Sequence, residues 1–454
     1  MHFRTRCLPG AALALICISP IISFSVAAQA VQPTAVPVDG PEAPVPRLPD
    51  DTTATLIQDA VPSPASGAMP VSAGLTLELA LAEAESRSPD LEAATAAVEA
   101  ARGRLRQAGF RTNPELSIEV ENFAGTGPYS GFDGTETTVS VNQRLDLSGR
   151  RTARIGVGRV ELEAAMLRLA IARADLKLAV RQQFATAVAA RDRLRLARET
   201  LARAQELARI AGELVEAGRE PPLRALRASS AAAQADAEVR AAEAEEMAAR
   251  QTLGALLGAD TPPAEVIGSG DLEPGPTVTA EQTLDVRLAD VERLVSEAAL
   301  QRERTLGRLD PAVGIGVRRI EETGDQALMA TFSVPLPVFD RNQGNITAAG
   351  AEVRGAAARR AGVLARARAQ IGSAAASFAA AQARVTALEA NAMPQAQEAL
   401  RLAQLSYQAG RVSLLELLDA QDAFATAQAD LINARRAQAE AAAVLDRAAA
   451  QQEM

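Results

Sequence analysis

The sequence predicts a mainly α-helical chain: a long antiparallel α-helical coiled coil joined to four strands of a small membrane β-barrel, which more than one copy must close. Three observations predict this. "PELSIEVENF" from Pro114 alternates Leu116, Ile118 and Val120 with Ser117, Glu119 and Glu121, the period of a strand with one apolar face. The proline-free run Thr152 to Glu216 carries Leu162, Leu169 and Leu176 at every seventh residue, with Ala165, Ala172 and Ala179 between them. That is a leucine–alanine seam, and a helix of this span is about 95 Å long. The third observation is that the whole plan recurs.

The elements follow in order. Arg4 and Arg6, the apolar stretch Ala11 to Val26 and the small-x-small triplet Ala28-Gln29-Ala30 predict a secretory signal over residues 1–30. Residues 31–73, with Pro33, Pro37, Pro41, Pro44, Pro46 and Pro49, read as an extended lead-in without periodicity. A first repeat, 74–258, opens with a helical pattern from Leu75 to Arg111, in which Pro89 begins a new segment after Ser88. A β-hairpin over 115–145 follows, its strands Glu115 to Asn122 and Thr137 to Leu145 separated by "GTGPYSGFDGT". After "DLSGRR" the long helix runs to "EAGREPP", turns near Gly218 and resumes to Gly258. A Pro/Gly-rich linker, 259–282, leads to a second repeat, 283–454. It contains a helix from Leu284 to Leu309, a hairpin over 311–336 built from "PAVGIGVRRI" and "LMATFSV", and a helical hairpin with its tip near Gly410. Pro114 maps on Pro311 and Ala217-Gly218-Arg219 on Ala409-Gly410-Arg411, an offset of roughly 195 residues that predicts internal duplication.

Composition removes several classes. Both cysteines (Cys7, Cys17) and the single histidine (His2) lie in the predicted signal. From Val31 onward the chain has no zinc-type ligand set, disulfide or nucleophile–histidine pair, so the sequence predicts no catalytic residue, no resident metal and no cofactor. A net charge of -9 with 3% aromatics disfavours a nucleic-acid partner.

The strands have the length that crosses a bilayer when tilted in a barrel. Leu116, Ile118, Val120, Val139, Val141, Val313, Ile315 and Val317 are predicted to face lipid, and Glu119, Glu121, Ser140, Asn142 and Arg318 to face water inside. Known membrane barrels need about eight strands or more, because an open edge cannot stay unpaired in hydrocarbon. Four per chain therefore require oligomerisation.

Over roughly Leu75 to Arg447 the chain resembles the TolC-type outer-membrane efflux channels, through the duplicated plan and "YQAGRVSLLELLDAQ" at Tyr407 to Gln421. "PLPVFDRNQGNI" at Pro335 to Ile346 and "AGREPPLRAL" at Ala217 to Leu226 are most similar to the cobalt-zinc-cadmium resistance branch. The resemblance implies a homotrimer in the outer membrane with a twelve-stranded barrel and a periplasmic helical tunnel. It also implies a periplasmic adaptor (membrane fusion) protein and an inner-membrane resistance-nodulation-division transporter as partners, with cobalt, zinc or cadmium as cargo. The adaptor is expected at the helix tips, at Gly218 and Arg219 in one and at Gly410, Arg411, Val412, Ser413 and Leu414 in the other. Glu416 and Asp419 are expected to form a periplasmic aperture, with Arg224 and Arg227 as counter-charges. Drug or polypeptide export and a soluble periplasmic coiled-coil protein are the alternatives the sequence leaves open.

Overall fold

The structure, a computed structural model, describes residues 74–268 and 278–451. The predicted signal, the proline-rich lead-in and part of the linker lie outside the described residues. Helices α1 (Leu77–Arg87) and α2 (Pro89–Ala108) lead into strands β1 (Glu115–Glu121) and β2 (Glu136–Arg144). Helices α3 (Arg150–Glu216) and α4 (Pro222–Leu256) form the first long hairpin. Helix α5 (Leu284–Leu306), strands β3 (Ala312–Ile320) and β4 (Gln326–Ser333), and helices α6 (Gln343–Ala387), α7 (Met393–Gln408) and α8 (Leu414–Ala448) complete the order.

Local chemistry sets the boundaries. Ser88 ends α1 and caps α2, its hydroxyl accepting the Leu91 N–H at 3.3 Å, while Pro89 occupies the first turn where its missing donor costs nothing. The segment predicted to run as α6 to Gln408 contains one interruption that the sequence reading lacks, a π-helical turn over Leu388–Ala392. Pro394 follows it. A proline in a helix removes a donor and crowds the carbonyl four residues back, and a π turn opens the ladder at that point.

Helix α3 packs on α2, α4, α5 and α8. The predicted seam is present on one side, where Leu162, Ala165 and Leu169 meet Val98 and Ala101 of α2. A second stripe, Ala164, Leu167, Ile171 and Ala174, packs against Leu284, Leu288 and Val291 of α5. Further along, Val180, Phe184, Ala187 and Val188 join Ala80, Ala84, Leu253 and Leu257 in another cluster. Alanine at so many contacts lets backbones approach closely, so each cluster is thin and the packing is spread along the helix.

The four strands form one antiparallel sheet in the order β1-β2-β3-β4. Arg150, read in the sequence only as part of a connector, ties the start of α3 to the end of α5 and the segment leading into β3. Its guanidinium donates to Asp310 at 2.9 Å and to the carbonyls of Leu306 at 2.9 Å and Arg308 at 3.2 Å. Arg151 donates to the Gly109 carbonyl at 2.6 Å, so two successive arginines satisfy the carbonyl ends of α5 and α2.

Candidate functional site

Two regions carry chemistry: the sheet and the tips of the helical hairpins. In the sheet, register decides the faces. Leu116 lies opposite Val141, Ile118 opposite Val139, and Val139 and Val141 opposite Val317 and Ile315. Val313, Ile315 and Val317 in turn oppose Phe332, Ala330 and Leu328. Every predicted apolar strand residue, Val120 included, therefore lies on one face. That face is exposed along its whole width, up to 90% at Leu328. Leu328 and Phe332 extend it onto β4, where "LMATFSV" carries the same alternation.

The opposite face is polar. Arg318 donates to Thr138 at 3.0 Å and Glu136 at 2.8 Å and pairs with Glu121 at 3.2 Å, tying three strands together. Gly314 and Gly316 lie on this side against Asn142 and Ser140. A Cβ at Gly314 would stand 2.0 Å from Asn142 Oδ1, and one at Gly316 2.7 Å from the Val139 carbonyl, so this face is too crowded for side chains there. Aromatic side chains gather at the sheet's two ends. Phe123, Tyr129 and Phe132 are exposed at the β1–β2 loop, and Phe110, Phe332 and Phe339 at the helical end, with Phe339 at 92%.

At the other region, both tips reverse the chain with one geometry. Gly218 has φ +70° and Gly410 φ +69°. The Arg219 N–H donates to the Leu214 carbonyl at 2.8 Å, and the Arg411 N–H to the Ser406 carbonyl at 2.8 Å. This is the six-to-one bond of a Schellman turn, with glycine in the left-handed position. A groove of about 1050 Å³ opens between the tips, lined by residues of both, including Arg219, Arg224, Tyr407, Arg411, Val412 and Leu417.

Several expected site residues have specific local partners. Leu414 is 3% exposed, packed with Leu207, Leu400, Leu417 and Phe424, so it supports the tip from within and presents no surface. Ser413 caps α8: its hydroxyl accepts the Glu416 N–H at 3.3 Å, while the Glu416 carboxylate accepts the Ser413 N–H at 2.7 Å. That capping box holds the Glu416 carboxyl below its ordinary value. Asp419, one turn on, is exposed and has no ion pair among the described residues. The expected counter-charge Arg224, in the first turn of α4, pairs with Glu220 just before that helix. Burial, with Glu220 nearby, raises the Tyr407 phenol.

Comparison with known proteins decides the family. The outer membrane efflux protein family matches residues 80–259 and again residues 282–451. The chain belongs to this family. This efflux protein is 28% identical over 355 residues to the cobalt-zinc-cadmium resistance protein CzcC of Cupriavidus metallidurans, covering 76% of this chain and 83% of that one. It is 32% identical over 302 residues to the nickel-cobalt-cadmium resistance protein NccC of Alcaligenes xylosoxydans xylosoxydans, covering 65% and 68%. Its fold matches the crystal structure of the outer membrane protein VceC from Vibrio cholerae with a TM-score of 0.70 at 23% identity, covering 83% of this chain and 96% of that one. The efflux protein thus has the fold of outer-membrane channel proteins, mostly helical with a four-stranded antiparallel sheet, and it resides in the outer membrane with its helical part in the periplasm.

Proposed function

We propose that this efflux protein is the passive exit duct of a tripartite pump for divalent transition-metal cations. Three copies close a twelve-stranded barrel, β1 of one pairing with β4 of the next, and their helices continue the duct through the periplasm. A periplasmic adaptor engages the tips, and a proton-driven inner-membrane transporter supplies the energy. The observation that carries this reading is the sheet: one apolar face wholly exposed, one polar face, and two edge strands without partners among the described residues. Exposed edges and an exposed apolar face are tolerable together only where lipid covers the face and further copies cover the edges. The aromatic side chains at both ends of the band fit the two membrane interfaces. The twofold family match supports the duplication, and the metal-resistance names of the relatives support the cargo.

At the periplasmic end, Glu416 and Asp419 form the aperture in this reading. Asp419 supplies the free carboxylates, while Glu416, bound to the Ser413 amide, fixes the start of α8 that positions them. Carboxylates crowded about one axis repel each other and attract cations. The test is gene deletion followed by complementation. Loss of resistance to zinc, cobalt or cadmium, restored by the intact gene and accompanied by unchanged tolerance to dyes, is expected. Sensitivity to dyes alone would replace the metal cargo with organic compounds.

A further inference from the structure

The groove between the two tips has a charge pattern that identifies its occupant. Two acidic side chains line it, and both already have a partner within their own segment: Glu206 pairs at 2.6 Å with Arg209, which also holds Glu213, and Glu220 pairs with Arg224. Of the other guanidiniums there, Arg203 lies 5.7 Å above the Phe424 ring and within 4.0 Å of Glu199. Arg219 and Arg411 differ. Each is exposed, lines the groove, and has no ion pair or side-chain hydrogen bond among the described residues. They also occupy the same place in the same turn, directly after the left-handed glycines Gly218 and Gly410. Leu207, Ile210, Leu214 and Leu417 give the same groove an apolar part to its lining.

We propose that this groove docks the tip of a helical hairpin from a partner protein that carries carboxylates at its turn, one set meeting Arg219 and the other Arg411. The proposal rests on the adaptor reading above and adds the chemistry by which the adaptor is recognised. A guanidinium fork pairs with a carboxylate through two parallel hydrogen bonds, so two forks presented from the two walls fix position as well as charge. A helical occupant suits the site, because the walls are helix ends whose side-chain ridges accept the ridges of another helix. The apolar part of the lining takes the occupant's aliphatic side chains, and Arg219 and Arg411 are the guanidiniums left to meet its carboxylates.

The full-length protein in detergent is titrated with two synthetic helical hairpins that are identical except for Glu or Lys flanking the turn, with fluorescence anisotropy as the readout. The acidic hairpin is expected to bind about tenfold or more tightly than the lysine one, with an affinity that falls as salt rises. Arg219→Glu with Arg411→Glu is expected to reverse the preference. Equal binding of both hairpins, no binding of either, or a preference that survives the double reversal overturns the proposal. A photo-crosslinking residue at exposed Leu223, used in intact cells, separates the two readings. Undiminished capture of the periplasmic adaptor in the doubly reversed protein removes the carboxylate mechanism and leaves the adaptor reading standing. A preserved hairpin preference without any adaptor capture removes only the adaptor.

Discussion

Gly410 shows what a single residue controls at the tips. Its φ of +69° lies in the region that a side chain disfavours, and nothing within 4 Å would meet an added Cβ. Gly410→Ala should therefore act through backbone strain alone, costing about 1 kcal/mol of tip stability, visible as faster hydrogen exchange at Arg411 and its neighbours. Unchanged exchange would show that the turn relaxes. Glu416 makes a pH-dependent contribution on the other side of the same turn. Its folded value lies below the ordinary 4.5, so the stability it adds is present above that value and is lost as pH falls through the lower folded one. Below the folded value the start of α8 should fray in the native protein. Glu416→Gln should flatten that pH dependence in exchange experiments, and an unaltered pH profile would deny the capping box any role.

At the scale of the element, the second helical hairpin differs from the first. Helix α3 runs unbroken through 67 residues, whereas α6 and α7 are separated by the π turn Leu388–Ala392 just before Pro394. The turn is held against α8 by Glu389, which pairs with Arg435 at 2.6 Å. Because the proline supplies the physical reason for the turn, Pro394→Ala should restore a donor and let the ladder close. Amide protection around Ala392 is then expected to rise about tenfold or more. No gain in protection would mean that the neighbouring helices, and not the proline, impose the turn.

For the molecule as a whole, the sheet's two faces make opposite demands. Ile315→Arg places a charge at the middle of the exposed apolar band and should cost about 2–4 kcal/mol in a bilayer, depleting the protein from the outer-membrane fraction. Glu119→Arg, on the polar face, should leave membrane assembly intact and shift single-channel selectivity away from cations. Equal amounts of both variants in the membrane would contradict the assignment of the faces. The small residues of the polar face, Gly314, Gly316 and Ser140, fit the close approach of β2 to β3 there, where a Cβ on either glycine would meet the neighbouring strand.

Sequence alone determined what depends on period. The faces of the four strands, the long helices, the glycine turns at 218 and 410 and the start of a new helix at Pro89 were all legible, because backbone geometry repeats every two or 3.6 residues whatever lies nearby. Only the tertiary structure decided partners. It showed that Leu414 packs inward, that the Glu416 carboxylate caps its own helix, that Arg224 answers Glu220, and that α3 buries a second stripe against α5. It also gave Arg150 a role, clasping a helix end some 155 residues away in sequence. A side chain's choice among competing partners is made by distances across the fold, and no local pattern records them.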